Sequence, residues 1–344
     1  MSLKLGCITA VVMSTPETAK YVLAKNDLLF SSRKGPSVTQ AFGHRELSMV
    51  WLPVGGQWRK LRKICKEQMF SAARLHASQG LRKEKLDKLR DDVVKFDIGD
   101  ALLVGHGDGI LKDTEYYFGK LIEVFDKIID DKMKMKRGGD DLLEELINLN
   151  QRDELSRDEI KHLLMDLFTA GTDTTSGTVE WAMVELLRNP DKLSRLQKEI
   201  KDNIIKGVQE SDIPRLPYLQ AVVKETFRLH PTGPLLVPHK ADADVEINGY
   251  TIPKDAQIIV NVWASGRDPS VWPDADMFVP ERFLDRAIDL EDLSGLADGA
   301  LATFVEDFGW QLGEGVKSEE LDMNEKFGIT QQKAIPLKAV RLCP

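Results

Sequence analysis

The sequence predicts a mainly α-helical protein with a small β-sheet region. Segments rich in Leu, Lys, Glu and Arg recur along most of its 344 residues and are separated by Pro and Gly, which is typical of helices joined by turns. Strand-forming Val, Ile and Thr concentrate in two places, Leu5 to Met13 and 244–262. With 42% hydrophobic and 30% charged residues, the composition is that of a soluble globular protein with a core.

Local signals place the elements in order. The strand over 5–13 ends before Thr15-Pro16, and because proline suits the first turn of a helix we expect a short helix over 17–25. Residues 30–52 have no sustained period and predict a long loop. Further helices are predicted over 56–70, 72–94, 114–136, 141–150, 157–188, 191–206 and 217–230.

Two glycine-containing stretches lie between the predicted elements. Asn248-Gly249, between Val245-Glu246-Ile247 and Thr251-Ile252, is the strongest short signal for a β-hairpin. The stretch 96–110 is rich in glycine but fits no phosphate-binding spacing, so it predicts a linker. We expect one partial domain over 1–344, with candidate splice points near 96–113 and 287–300.

Composition and cysteine content narrow the classes of function. The formal net charge of −8 argues against a nucleic-acid partner, because phosphate binding needs a basic face. The three scattered cysteines, Cys7, Cys65 and Cys343, predict neither a disulfide framework nor a zinc site. The apolar stretch from Leu5 to Met13 is much shorter than the ~20 residues that span a bilayer, so we expect no transmembrane anchor in this chain.

The helix predicted over 157–188 has an unusual centre. Gly, Thr, Asp and Ser, which are poor helix formers, fill much of Phe168 to Gly177 between apolar flanks. Such conflicts concentrate at functional sites, and the adjacent Asp173 and Thr174 could open the helix and hold water. The alternative is a Ser/Thr-rich kink without chemistry.

Other polar pairs are candidates for binding or buried contacts. Glu225 and Arg228 share one helix face, and Arg282, in a Pro-rich segment predicted to be an ordered meander, could reach back to complete a buried Glu–Arg–Arg network. Trp58 and Arg62, four residues apart, could place a ring and a cation beside a planar anion. A surface salt bridge and an ordinary cation–π contact are the respective alternatives.

In their order along the chain, these motifs resemble those of the cytochrome P450 superfamily. The match comprises the I-helix motif at Ala170-Gly171-Thr172-Asp173-Thr174-Thr175, the ExxR motif at Glu225 to Arg228, the PERF box at Pro280 to Phe283, the WxxxR motif at Trp58 and Arg62, and His239. The resemblance covers most of the chain and implies a P450 fold. Three shorter segments carry a closer resemblance, to plant microsomal enzymes of the geraniol 8-hydroxylase group. They are Phe30-Ser31-Ser32-Arg33, residues 42–52 and residues 325–330.

The resemblance implies a haem-thiolate monooxygenase that hydroxylates a small lipophilic metabolite such as a monoterpenoid. Asp173 and Thr174 would relay protons, Arg62 and His239 would contact haem propionates beside Trp58, and Glu225, Arg228 and Arg282 would form a structural triad. The segment from about Pro36 to Val54 would be the main substrate-recognition stretch. Electrons would come from an NADPH–cytochrome P450 reductase, on the cytosolic face of the endoplasmic reticulum membrane.

The chain departs from the family pattern after Phe283. The glycine-rich loop whose cysteine holds haem iron is absent, as are part of the L helix and much of the D-to-G region, which would fall between Arg90 and Tyr116. Cys343 lies at a terminus without such a loop, and we do not expect it to ligate iron. A catalytically inactive remnant or a truncated gene model without haem ligation is therefore the alternative function, and the cytosol is the alternative location of a chain without an anchor. A module that binds haem or a terpenoid without chemistry lies between the two.

Overall fold

The computed structural model describes residues 1–94, 101–104, 114–135, 141–205, 207–284, 295–313, 316–326, 328 and 330–342. The prediction of a mainly helical protein with small sheets is confirmed. The chain divides into two compact units. Unit 1 comprises residues 1–78, 109–171 and 235–261, and unit 2 comprises 79–108, 172–234 and 262–344. The expectation of one partial domain stays a prediction.

Unit 1 contains a five-stranded sheet. Its strands, in spatial order, are β1 (Ser2–Leu5), β2 (Ile8–Met13), β8 (Gln257–Val260), β5 (His239–Lys240) and β3 (Ser32–Arg33). The single strand predicted over 5–13 is thus part of a hairpin, because Gly6 adopts a left-handed conformation with φ of 61° and reverses the chain. The β2–β8 pairing is parallel, whereas the other pairings in this sheet are antiparallel.

The hairpin predicted at Asn248-Gly249 is confirmed. Strands β6 (Val245–Ile247) and β7 (Tyr250–Ile252) pair in antiparallel register around it. Both turn residues have positive φ, 51° at Asn248 and 77° at Gly249, as the tight hairpin turns favoured by this dipeptide require.

Short helices occupy much of the region that was predicted to be a loop. A 3₁₀ helix spans Ser37–Gly43 and α2 spans His44–Leu47, so the prediction of a loop over 30–52 is wrong in this part. These turns are too short to show a helical period in sequence, and they meet at Gly43, whose φ is 69°. The helix expected over 17–25 is present as α1 (Pro16–Lys20) followed by a π-helical turn over Tyr21–Lys25.

The remaining helices of unit 1 enclose its core. They are α3 (Gly56–Gln68), α4 (Ala72–Ala77), α6 (Thr114–Met135), α7 (Leu142–Gln151) and residues 157–171 of α8 (Arg157–Arg188). Their buried residues include Leu61, Ile129, Leu146 and Leu163, which pack in one cluster. This apolar packing places one side of α3 and the first half of α8 in a common core.

Unit 2 contains the rest of the helical part and two small sheets. Its helices are α5 (Gln79–Val94), residues 172–188 of α8, α9 (Pro190–Asn203), α10 (Pro217–Leu229), α11 (Val262–Gly266) and α12 (Gly295–Asp307). One sheet has the order β4 (Ala101–Val104), β12 (Leu337–Leu342) and β9 (Gly309–Leu312), and the other pairs β10 (Glu325–Lys326) with β11 (Gln332–Lys333). Trp181, Leu196, Val222 and Leu301 are fully buried in its core.

The structure differs from two of the sequence predictions made for residues 72–110. The helix expected over 72–94 is two helices, because the Ser78 hydroxyl donates to the Arg74 carbonyl oxygen at 2.9 Å and ends α4. The stretch predicted to be a linker over 96–110 contains β4, whose partner β12 lies near the other end of the sequence. Within the candidate splice region at 287–300, α12 begins at Gly295, and residues 285–294 lie outside the described part.

Candidate functional site

The helix α8 carries Asp173 and Thr174, both half-buried. The expected opening of the helix is not observed, since α8 runs without interruption from Arg157 to Arg188. The nearby hydroxyls are satisfied along the helix instead: Ser176 Oγ donates to the Thr172 carbonyl oxygen and Thr178 Oγ1 to that of Thr174, each at 2.7 Å. Asp173 and Thr174 are therefore presented from a regular helix.

Glu225 and Arg228 form the centre of a buried network in unit 2. Arg228 Nε lies 2.7 Å from Glu225 Oε2, and Arg228 Nη2 lies 2.8 Å from Glu225 Oε1, so the pair is bidentate. Glu225 has no exposed surface and Arg228 is 6% exposed, which rules out the alternative of a surface salt bridge. The spacing along α10 aligns the two side chains, and burial excludes competing water.

The structure brings Arg282 to the same carboxylate. Its Nε lies 3.1 Å from Glu225 Oε1, which also accepts the Val279 amide N–H at 2.7 Å. Arg228 Nη1 donates to the carbonyl oxygens of Gly266 and Ala275 at 2.5 and 2.6 Å. Every arm of Arg228 thus has a partner, and the network ties α10 to the segment that leads into the 3₁₀ turn at Pro280–Phe283.

Trp58 and Arg62 lie on one face of α3 in unit 1. The Arg62 guanidinium carbon is 5.6 Å from the centre of the Trp58 ring, within the range of a cation–π contact. Arg62 is exposed, so its charge is free to meet an anion from solvent. The geometry agrees both with the predicted ligand role and with the ordinary alternative of a local cation–π pair.

His239 lies in the five-stranded sheet of unit 1, directly across from Arg33 in the β3–β5 pair. His239 Nδ1 is 2.6 Å from the carbonyl oxygen of Phe30, to which it donates. Burial, opposed by this hydrogen bond and reinforced by the Arg33 charge, lowers the pKa of His239, so the ring is neutral near pH 7. Because the neutral ring carries its one proton on Nδ1, Nε2 is an acceptor only, so in this state His239 can neither donate a hydrogen bond to a carboxylate nor form an ion pair with it.

Sequence reasoning did not assign a role to Arg33. It donates through Nη1 to the Val237 carbonyl oxygen at 3.0 Å and is the cross-strand partner of His239. Its place beside a predicted site residue depends on strand register, which no local sequence signal indicates. The Arg33 guanidinium is therefore a second candidate, besides Arg62 of α3, for binding an anionic ligand. It lies next to the neutral His239 imidazole.

The described cysteines do not fit a haem-iron ligand. Cys65 is 2% exposed within the core of unit 1, and burial raises the pKa of its thiol to about 11, so it stays protonated. Cys7 is exposed in the turn between β1 and β2, beside Gly6. Cys343 lies outside the described residues. An iron–thiolate bond needs an ionised, enclosed sulfur, which neither described cysteine provides.

Metal-binding clusters and membrane-crossing helices are both missing from the part of the chain that the structure describes. There, no group of three or more His, Cys, Asp or Glu side chains is arranged to hold a metal ion. Among the same residues, no helix combines the length and the apolar character that crossing a membrane requires.

The helical fold and its buried Glu–Arg–Arg network define a class of protein, and residues 105–295 match the family model described as Cytochrome P450. The chain belongs to the cytochrome P450 family, whose members are oxidoreductases of the monooxygenase type. Cytochrome P450 76T24 of Catharanthus roseus is 43% identical, with 99% of this chain and 86% of the relative covered. Geraniol 8-hydroxylase of Swertia mussotii and ferruginol synthase of Salvia miltiorrhiza are each 36% identical with the same coverage.

Solved structures show the same fold. A zebra fish cytochrome P450 determined with abiraterone superposes with a TM-score of 0.81 at 22% identity, covering 99% of this chain and 94% of that one. The alignment with Cytochrome P450 76T24 runs over 427 positions, whereas this chain has 344 residues, so at least 83 aligned positions have no counterpart here. The predicted shortening relative to the family is confirmed.

Proposed function

We propose that this protein is a monooxygenase that hydroxylates a small lipophilic metabolite such as a monoterpenoid. The relatives support the substrate class, because their names include geraniol 8-hydroxylase and ferruginol synthase. The structural observation behind the proposal is the complete Glu225–Arg228–Arg282 network, which supports an intact family scaffold because a buried charge cluster of this kind is costly unless every member is satisfied.

The predicted site residues take the following roles in this proposal. Asp173 and Thr174 on α8 are an acid and a hydroxyl that can pass a proton. Arg62, whose guanidinium lies beside the Trp58 ring, would bind a carboxylate of a haem group by ion pairing. His239 would bind the other carboxylate through Nε2 only when its ring is protonated, because in the neutral ring the one N–H donates to Phe30. When bound, haem would supply the oxygen-activating chemistry.

The partner and location follow from the same family assignment. We propose that an NADPH–cytochrome P450 reductase supplies electrons and that the protein works at the cytosolic face of the endoplasmic reticulum. The partner and the location both require that the chain binds haem, so both depend on the outcome of the carbon monoxide difference spectrum.

The cysteines favour a second candidate, a P450 scaffold that holds no thiolate-ligated iron and is catalytically inactive. Cys65 is protonated and enclosed by apolar residues, and Cys7 sits in an exposed turn. The first candidate therefore requires a thiolate from Cys343, the cysteine that lies outside the described residues.

A carbon monoxide difference spectrum of the reduced, haem-reconstituted chain separates the two candidates. Under the monooxygenase proposal the Soret band takes the position of thiolate-ligated iron, and Cys343→Ser abolishes it while Cys7→Ser and Cys65→Ser do not. Under the second candidate the unsubstituted chain gives no such band, and the three Ser variants match it. A thiolate-type band should be accompanied by reductase-dependent, NADPH-dependent oxidation of geraniol.

A further inference from the structure

Unit 1 contains a buried polar cluster that neither the family motifs nor the proposed reaction uses. It consists of His44 on α2, Ser48 in the turn that follows, and His162 and Asp166 one helical turn apart on α8. All four residues are buried, and Ser48 has no exposed surface. Polar side chains at such depth are retained only where they are paired, so their contacts require a physical account.

Asp166 binds the segment after α2 through both carboxylate oxygens. Ser48 Oγ donates to Oδ1 at 2.6 Å, and the Met49 amide N–H donates to Oδ2 at 2.8 Å. His44 Nε2 lies 3.3 Å from the same Oδ1. One carboxylate on α8 therefore accepts hydrogen bonds from a side chain and from the backbone of the turn and lies beside a histidine of α2, and charge-assisted hydrogen bonds of this kind are the strong ones.

The two histidines extend the cluster by one step. His44 Nδ1 and His162 Nδ1 are 2.8 Å apart, so the two rings share one proton across this gap. Phe118 of α6 closes the apolar side, with its ring centre 5.0 Å from that of His44 in an edge-on arrangement. The chain of contacts runs Ser48–Asp166–His44–His162 and ends in the core.

Charges around His162 come from both elements that carry the cluster. Burial lowers the pKa of His162 to about 4, and the charges of His44 and Lys161 act in the same direction. Asp158 and Asp166 oppose this, and Lys161 is itself paired with Asp158 at 2.8 Å and with Asp126 of α6 at 3.2 Å. His162 is therefore neutral near pH 7 and has one N–H to share with His44.

The backbone is strained at Phe42, just before the segment that this cluster holds. Phe42 and Gly43 are both left-handed, with φ of 54° and 69°, and Phe42 is not a glycine. The Phe42 ring is exposed and stacks on Phe118 with ring centres 5.9 Å apart. A non-glycine residue stays in that conformation only where neighbouring contacts hold the backbone in place.

We propose that His44, Ser48, His162 and Asp166 form a polar latch whose role is positioning: it holds residues 44–52 on α8 and so sets the shape of the stretch that recognises a small lipophilic substrate. The latch itself rests on the contacts above, whereas its consequence for substrate rests on the proposed function. The latch does not take part in chemistry. Its loss would free the backbone on which the substrate-recognition stretch is built.

Hydrogen exchange of the full chain tests the latch without haem or substrate. The readout is the protection of the amides of Met49, Val50, Trp51 and Leu52 relative to those of α10 in unit 2. His44→Phe keeps the ring that contacts Phe118 and removes both nitrogens, whereas His44→Gln restores an amide nitrogen near the position of Nε2, within reach of Asp166. We expect His44→Phe to lower protection of 49–52 about tenfold or more, and His44→Gln to recover part of it.

A matched control is Glu159→Gln on the same helix. Glu159 is buried and bound to Lys60 and to the Ser156 amide, yet it has no contact with the latch among those described. We expect it to reduce protection in α3 and the start of α8 without a selective loss at 49–52. Protection retained in His44→Phe, or lost equally throughout unit 1, would overturn the latch, since a ring that merely fills space is replaced adequately by Phe.

Geraniol binding to the same variants tests the consequence for substrate. If the latch shapes the recognition stretch, equilibrium dialysis should show that His44→Phe binds geraniol about tenfold more weakly than the unsubstituted chain. The affinity of His44→Gln should lie between those two. If exchange changes as expected but the unsubstituted chain takes up no geraniol, the proposed substrate class is wrong and the latch stands. If all variants bind geraniol equally, the latch does not shape the recognition stretch.

Discussion

Arg282 Nε lies 3.1 Å from Glu225 Oε1, although 57 positions of sequence separate the two residues. The same carboxylate binds Arg228 in bidentate fashion three residues further along α10. Two arginines therefore share one carboxylate that has no contact with solvent. Because the charges lie in a low-dielectric interior, the network is stabilising only while all of its members are present.

Glu225→Gln is expected to destabilise unit 2 strongly. The amide keeps the size of the side chain but leaves two buried guanidinium groups without a counter-charge, which costs about 3–5 kcal/mol. Urea unfolding followed by circular dichroism should show a large fall in the midpoint.

The matched control for this substitution is Glu84→Gln. Glu84 pairs with Lys85 at 3.1 Å on the surface of α5, where both side chains are largely exposed. The loss there should be below about 1 kcal/mol. Equal midpoints for the two variants would show that the buried network does not stabilise the fold.

Gly266→Ala is expected to disturb the same network from its other side. A methyl group at Gly266 would overlap the Arg228 carbonyl oxygen, and the Gly266 carbonyl accepts from Arg228 Nη1. Overpacking of this kind costs about 1–3 kcal/mol. Gly233→Ala, where a Cβ would meet no atom within 4 Å and φ is not positive, should be neutral or slightly stabilising in the same urea titration. If Gly233→Ala lowered the urea midpoint more than Gly266→Ala does, the packing described around Gly266 would be contradicted.

His162 should make the protein less stable in acid. Its folded pKa, about 4, lies below the ordinary histidine pKa of 6.5, so the unfolded state takes up a proton at a pH where the folded state does not. Its contribution is complete above pH 6.5, is lost progressively between pH 6.5 and 4, and amounts to about 3 kcal/mol. The free energy of unfolding of the wild-type chain should therefore fall faster over this window than that of His162→Phe.

Leu163→Ala supplies the control for the pH experiment. Leu163 is fully buried on the same helix and does not titrate, so its loss should lower the whole stability curve without changing its slope between pH 7 and 4. A slope for His162→Phe equal to that of the wild type would show that His162 is not held neutral by its surroundings.

The two described cysteines should differ widely in reactivity. Iodoacetamide attacks the thiolate, and at pH 8 a thiol with a pKa of about 11 is ionised in about one molecule per thousand. Cys7 is exposed in the β1–β2 turn. Peptide mass mapping should find Cys7 alkylated first and Cys65 alkylated only after denaturation. Rapid labelling of native Cys65 would contradict its enclosure in the core.

Much of the helical architecture could be predicted from the sequence because helices and their ends are encoded locally. The bounds of α8 agree with the predicted 157–188, and the hairpin at Asn248-Gly249 is where its turn residues indicate. The i,i+3 spacing of Glu225 and Arg228 and the i,i+4 spacing of Trp58 and Arg62 likewise follow from the helical repeat. The absence of any cysteine between Phe283 and Leu342, where the family's cysteine loop would fall, is a property of the sequence and needs no structure.

Other features depend on contacts between distant segments. The short helices over 37–47 have no period long enough to detect, and β4 is a strand because β12 pairs with it. The burial that keeps Cys65 protonated arises from packing of α3, α6, α7 and α8 in one core, and the pairing of His44 with His162 arises from the contact of α2 with α8. Composition, helices and motifs were thus determined by local sequence, whereas burial, strand partners and the state of titratable groups were decided by the tertiary structure, because each depends on atoms that lie far away along the chain.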